Sequence, residues 1–252
     1  MIEQISHADD ILELRLSRPP VNALNPAMVE HLSQAIGEAA DGNARALIIS
    51  GSPGMFSAGL DVPELLQLDQ QGMKAFWGSF FRLLERIARS DIPVVTALTG
   101  HSPAGGTVIA LFADYRIQAD GDFRMGLNEV QVGLVVPPVI HQALARLIGP
   151  YRAERHLVAG QMIPVSDALK VGLIDEIVAS DQLIEHCVEW CRTHLALPAQ
   201  AMAETRRLCR ADLADMFSDP DALDIDSFVS GWFAESTQAT LKVLVERLGK
   251  SR

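Results

Sequence analysis

Apolar positions along this chain change their period as it is read from the N-terminus. β-Forming residues at 2–5 and again at 11–16 flank the turn-prone Ala8-Asp9-Asp10, the pattern of a hairpin. Asn25 is a good N-cap and Pro26 a good first helical residue, and Met28, Leu32, Ala35, Ile36 and Ala39 follow at helical spacing. The continuous apolar run 46–49 ends at Ser50-Gly51-Ser52-Pro53-Gly54, which predicts a strand buried on both faces. Asp61 with Glu64 is capping-box-like and opens a short helix, and residues 72–90 carry Phe76, Phe80, Leu83, Leu84 and Ile87 on one stripe. A second buried strand at 92–98 runs into the Gly-rich stretch 99–106, a small-residue helix at 107–113 and a strand at 115–117. Strand, glycine-rich turn and helix recurring in that order predict an α/β architecture whose βα turns line a site at one end of the sheet.

From Pro137 onward the pattern is mostly helical: about 138–147, 150–159, 165–171, 180–195, 199–213 and 225–248, with one strand-like interruption at 173–178. The division that follows is an α/β core over 1–178 and a C-terminal helical region over 179–252, packing on the core, on a neighbouring subunit, or on both. No internal sequence repeat stands out.

Composition narrows the function classes. The 252 residues are 48% hydrophobic and 21% charged, which excludes disorder and low complexity. The formal net charge is −11 and the largest basic clusters are pairs such as Arg206-Arg207, so a nucleic-acid footprint is not expected. No apolar run approaches the roughly 20 residues of a membrane-spanning helix, and acids stand near the N-terminus where a signal or transit peptide carries basic residues, so the expectation is a cytoplasmic protein off the membrane. Cys187, Cys191 and Cys209 read as reduced thiols, the first two buried on a helix; a metal site with His186 and His194 would need ligands that no zinc-like spacing supplies.

Three segments carry candidate chemistry. Phe56-Ser57-Ala58-Gly59-Leu60-Asp61 and Pro103-Ala104-Gly105-Gly106 each follow a buried strand and offer backbone N–H groups beside glycine. Facing one another they would hold an oxyanion; taken singly, each is an ordinary βα turn. In Met125-Gly126-Leu127-Asn128-Glu129-Val130-Gln131-Val132-Gly133-Leu134 one carboxylate sits among apolar neighbours, an environment that raises a carboxyl pKa toward proton-transfer duty. A solvent-facing Glu129 at a loop edge is the alternative.

Together with Arg18-Pro19-Pro20-Val21-Asn22-Ala23-Leu24, Ala113-Asp114-Tyr115-Arg116-Ile117 and Ala168-Leu169-Lys170-Val171-Gly172-Leu173-Ile174-Asp175, these segments resemble the crotonase (enoyl-CoA hydratase/isomerase) superfamily over nearly the whole chain, and within it the mitochondrial-type Δ3,Δ2-isomerases. The resemblance implies a crotonase-like core of ββα repeats with a C-terminal helical region, an acyl-CoA substrate, and a thioester oxygen held by the N–H groups of Leu60 and Gly105. Glu129 would be the base, and Arg18, Ala23, Ala58, Gly59, Asp61, Gly106, Val108, Asn128 and Val136 would surround the substrate. Hydratases of the family carry a second glutamate where this chain has Val108; one acid suffices to move a proton between two carbons, so isomerisation is expected and hydration should be poor. Pro and Val in 133–138 would keep water out. Neither metal nor redox cofactor is implied, coenzyme A entering only as part of the substrate. Arg18 is the first candidate for its phosphates, ahead of Lys242, Arg247 and Lys250. A homotrimer or a dimer of trimers is implied.

Two rivals stand beside this reading, apart from a hydratase. Gly100-His101-Ser102-Pro103-Ala104 has the look of a nucleophile elbow with Ser102 as a hydrolase nucleophile, although Pro103 removes an oxyanion-hole N–H; His101 and His141 read as packed or surface histidines. The other is a non-catalytic acyl-CoA binder.

Overall fold

The computed structural model describes residues 1–250, with side chains to residue 247, so the Lys250 side chain lies outside the described residues. Its first half runs β1 (Ile2–His7), β2 (Ile11–Leu16), α1 (Pro26–Asp41), β3 (Ala46–Ser50), β4 (Gly54–Met55), α2 (Val62–Leu65), α3 (Gln70–Arg89), β5 (Val94–Leu98), β6 (Gly100–Pro103), α4 (Gly105–Leu111), β7 (Tyr115–Ala119) and β8 (Arg124–Gly126). After a 3₁₀ turn at Glu129–Val132 come α5 (Pro138–Ile148), α6 (Pro150–Ala159), β9 (Met162–Pro164), α7 (Val165–Val171), β10 (Glu176–Val178), α8 (Leu183–Leu195), α9 (Ala199–Cys209), α10 (Ala211–Asp215), α11 (Ile225–Trp232) and α12 (Glu235–Lys250).

The strands form two sheets. A six-stranded sheet has the order β1-β2-β3-β5-β7-β10, parallel except for the β1–β2 hairpin, and a smaller one has the order β4-β6-β8-β9. Strands β3, β5 and β7 lie side by side in the first, while β4, β6 and β8, each following its larger partner, lie side by side in the second. The chain thus winds through three ββα turns, a structural repeat with no counterpart in the sequence and the one that the crotonase resemblance implies. The small sheet was not foreseen: strands of two to four residues such as Gly100-His101-Ser102-Pro103 are too short to show a period.

Burial on both faces explains the apolar runs. In β3, Leu47 and Ile49 join the main core cluster while Ala46 and Ile48 face the cluster that includes Cys187 and Cys191 of α8. Burial raises both thiols, Cys191 to about 12, so both stay neutral; Cys209 is exposed. Helix starts follow their caps: Asn25 Oδ1 accepts from Met28 N at 2.8 Å and Asp69 Oδ1 from Gly72 N at 2.7 Å. Two expected long helices are broken. The 199–213 segment divides at Arg210, whose side chain turns inward onto Phe112 O, and 225–248 divides after Trp232, which is fully buried. Leu213, Phe217, Phe228, Val229, Trp232 and Leu241 share the main cluster with the first half of the chain.

Candidate active site

The first glycine turn is strapped to the 18–25 segment. Ala58 N donates to Val21 O at 2.9 Å, Leu24 N to Gly59 O at 2.8 Å and Asp61 N to Leu24 O at 3.0 Å. Ser57 Oγ donates to Asn22 O and accepts from Gly59 N, while the buried Asn22 amide reaches Phe56 O at 3.1 Å. Sequence reasoning passed over Asn22 and Ser57, whose signal was only two polar residues inside turn segments. Gly59 sits at φ +80°, and a Cβ on it would stand 3.0 Å from Ala104 Cβ and 3.1 Å from Gly105 N. Only a glycine lets the two turns come this close.

The second turn follows β6. Ala104 holds φ +46°, ψ −116°, and its N–H donates to Gly126 O at 2.8 Å, which leaves Gly105 as the first residue of α4. Among the hydrogen bonds of the described residues, neither the Leu60 nor the Gly105 amide has an acceptor. Thr107 Oγ1 bonds Ser102 O and accepts from Gly126 N at 2.9 Å, tying β8, and with it the segment leading to Glu129, to the same turn.

Glu129 opens the 3₁₀ turn. The residue is half-buried, but Oε2 is sealed from solvent and has no hydrogen-bond partner. Desolvation raises its pKa to about 7 against the smaller opposing pull of its own backbone hydrogen bond. The solvent-facing alternative for this glutamate is therefore set aside. Val108 is 1% exposed on a wholly buried α4, and Leu134 is buried, whereas Asn128 and Val136 are half-buried. The 133–138 segment is less enclosed than expected, since Val135 is 79% exposed, its side chain turned to solvent between two inward neighbours.

At the rim, Arg18 bonds Ala23 O at 3.1 Å and pairs with Asp61 at 2.7 Å and Glu64 at 3.1 Å, so its guanidinium is already matched by two carboxylates. Glu64 reaches Arg18 and Asn25 rather than the Asp61 N–H, so the expected capping box is half made: Asp61 Oδ1 caps Glu64 N and the return bond is absent. Ala58 and Gly106 fall within the two facing turns; Lys242 and Arg247 lie at exposed positions of α12. The hydrolase reading fails on geometry. Ser102 is fully buried with its hydroxyl on Gly100 O, His101 Nδ1 accepts from Arg124 N, and His141 is exposed on α5.

The site residues are thus an acid of raised pKa and, on two turns in contact, two amides without an acceptor among the described residues. The profile described as enoyl-CoA hydratase/isomerase matches residues 6–250. Human mitochondrial enoyl-CoA delta isomerase 1 is 32% identical over 242 residues, covering 95% of this chain and 80% of that one. A probable enoyl-CoA hydratase of Mycobacterium tuberculosis, EchA17, is 31% identical over 205 residues, 81% of this chain and 77% of that one. The crystal structure of human mitochondrial delta3-delta2-enoyl-CoA isomerase superposes with TM-score 0.94 at 30% identity, covering 100% and 99% of the two chains. An enoyl-CoA hydratase structure from Bacillus halodurans, 20% identical with TM-score 0.88 and covering 96% and 99%, shares the fold. With a glutamate whose Oε2 is sealed from solvent, two facing glycine turns and these likenesses over its length, the chain belongs to the enoyl-CoA hydratase/isomerase family and is an enzyme of it.

Proposed function

We propose that this enzyme shifts the double bond of a 3-enoyl-CoA to give trans-2-enoyl-CoA. The observation that carries the reading is the Glu129 carboxyl, with Oε2 sealed from solvent and a pKa raised to about 7; the resemblance supports it further, since hydratases of the family carry a second glutamate where this chain has the buried Val108. Glu129 removes a C2 proton, negative charge develops on the thioester oxygen beside the Leu60 and Gly105 amides, and the same carboxyl returns the proton at C4. Loss of one such donor commonly lowers the rate on the order of 10²–10³. Ala23, Ala58, Gly59, Asp61, Gly106, Asn128 and Val136 line the substrate path in this reading, which calls for no metal or redox cofactor. Arg18 takes coenzyme A phosphates only by giving up its pairs with Asp61 and Glu64.

The resemblance also supports a homotrimer or a dimer of trimers, for which Tyr151, Val158 and Leu208 provide exposed apolar surface; sedimentation measures it.

Parallel assays of trans-3-hexenoyl-CoA and crotonyl-CoA decide between isomerase, hydratase and binder. Isomerisation well above hydration supports the proposal, equal or faster hydration favours the hydratase reading, and no turnover of either leaves a binder. Glu129→Gln should keep the fold and ligand binding and lose isomerisation; turnover retained in that variant refutes the mechanism.

A further inference from the structure

The turn that carries Glu129 is held from two sides. On one, Gln131 Nε2 donates to Gly160 O, just past α6, at 2.8 Å. On the other, Thr237 of α12, 3% exposed, donates from Oγ1 to Gly133 O at 3.0 Å, and a Cβ on Gly133 would lie only 3.3 Å from Thr237 Cα. Gly133 closes the turn through its bond to Val130 O, and the next amide, Leu134, donates to Glu129 O at 3.0 Å. A hydroxyl from the C-terminal helix thus grips the closing residue of the turn whose first residue is Glu129. The same helix packs against α2, which follows the Leu60 turn.

We propose that Thr237 is a positioning residue for Glu129, its hydroxyl pinning α12 against the turn so that the carboxyl stays fixed and dry while it holds the substrate proton. This rests on the isomerase reading. In that reaction the C2–H bond breaks, the proton resides on a Glu129 oxygen as the electron pair delocalises toward the thioester, and the proton then forms the new C4–H bond. Water reaching the carboxyl in that interval exchanges the proton.

Single-turnover reactions in D₂O, with deuterium at C4 read by mass spectrometry, give the exchanged fraction, a ratio that does not depend on how much of a variant is folded. Thr237→Val keeps the branched shape and loses the donor. It should raise the exchanged fraction about threefold and lower kcat about tenfold with KM little changed, and Thr237→Ser should restore both. An unchanged fraction in Thr237→Val overturns the proposal whatever kcat does, as does failure of the serine to restore it or a wild-type fraction already near completion. Wild-type protein inert on 3-enoyl-CoA would instead defeat the isomerase reading, and the pin is then judged on the free protein by hydrogen exchange of the Leu134 amide. Faster exchange in Thr237→Val than in wild type and Thr237→Ser supports it; equal rates in all three overturn it.

Discussion

At Glu129 one desolvation acts on both rate and stability. The carboxyl must be ionised to accept a proton, and its pKa is raised to about 7, so kcat/KM should fall about tenfold for each unit below pH 7. A profile that bends only near the solvated value of 4.5 would show that water reaches the group. The stability consequence has a definite sign. A carboxyl whose folded pKa lies above its unfolded one costs nothing where both states are protonated; the cost grows between the two pKa values and is complete above the folded one. With 4.5 rising to about 7, that cost approaches roughly 3 kcal/mol at pH 8 and stays under about 1 kcal/mol at pH 5. Glu129→Gln should accordingly melt higher than wild type at pH 8 and close to it at pH 5. Equal melting-temperature differences at the two pH values would mean that the charge is not buried.

The two glycine turns work as elements only because they touch. Gly59→Ala places a methyl group 3.0 Å from both Ala104 Cβ and Pro103 O at a backbone φ of +80°, at a strain cost of about 1–2 kcal/mol. Separating the turns should lower kcat on the order of 10²-fold while the far-ultraviolet spectrum is unchanged; a wild-type kcat would show that the spacing is not needed. Both turns were legible in the sequence, because glycine after a buried apolar run is a local signal, and so was a single acid in an apolar segment. The hydrogen bonds of Asn22 and Ser57 that aim the first turn were not, since they depend on a register between segments more than 30 residues apart. Longer strands and helices announced themselves by period and cap. The small sheet did not, and neither did the breaks at Arg210 and after Trp232, where every residue tolerates a helix and tertiary contacts decide.

Over the whole molecule, the C-terminal helices are joined to the core at a knot of charge around Asp114. Arg206 pairs with it through two bonds of 2.8 Å, Arg210 lies 3.1 Å away, and Asp114 Oδ2 also accepts from Val94 N at 2.7 Å. Arg206 also bonds Ser90 O, and Arg210 bonds Phe112 O at 2.6 Å and Ala113 O at 3.4 Å, just past α4. Burial lowers the Arg210 pKa to about 10, which leaves it cationic at neutral pH. Two guanidinium groups therefore share one carboxylate in a site with little solvent, where removing one partner strands the others. Asp114→Asn should lose about 3–5 kcal/mol in urea unfolding at pH 7, with little dependence on salt because the pair is poorly screened. Combined with Arg206→Met, the loss should fall short of the sum of the single variants by about 1–3 kcal/mol, since the methionine removes a cation that the asparagine leaves uncompensated. Additive losses, or an Asp114→Asn variant as stable as wild type, would show that apolar packing of Leu213, Phe217 and Trp232 alone seats the C-terminal helices.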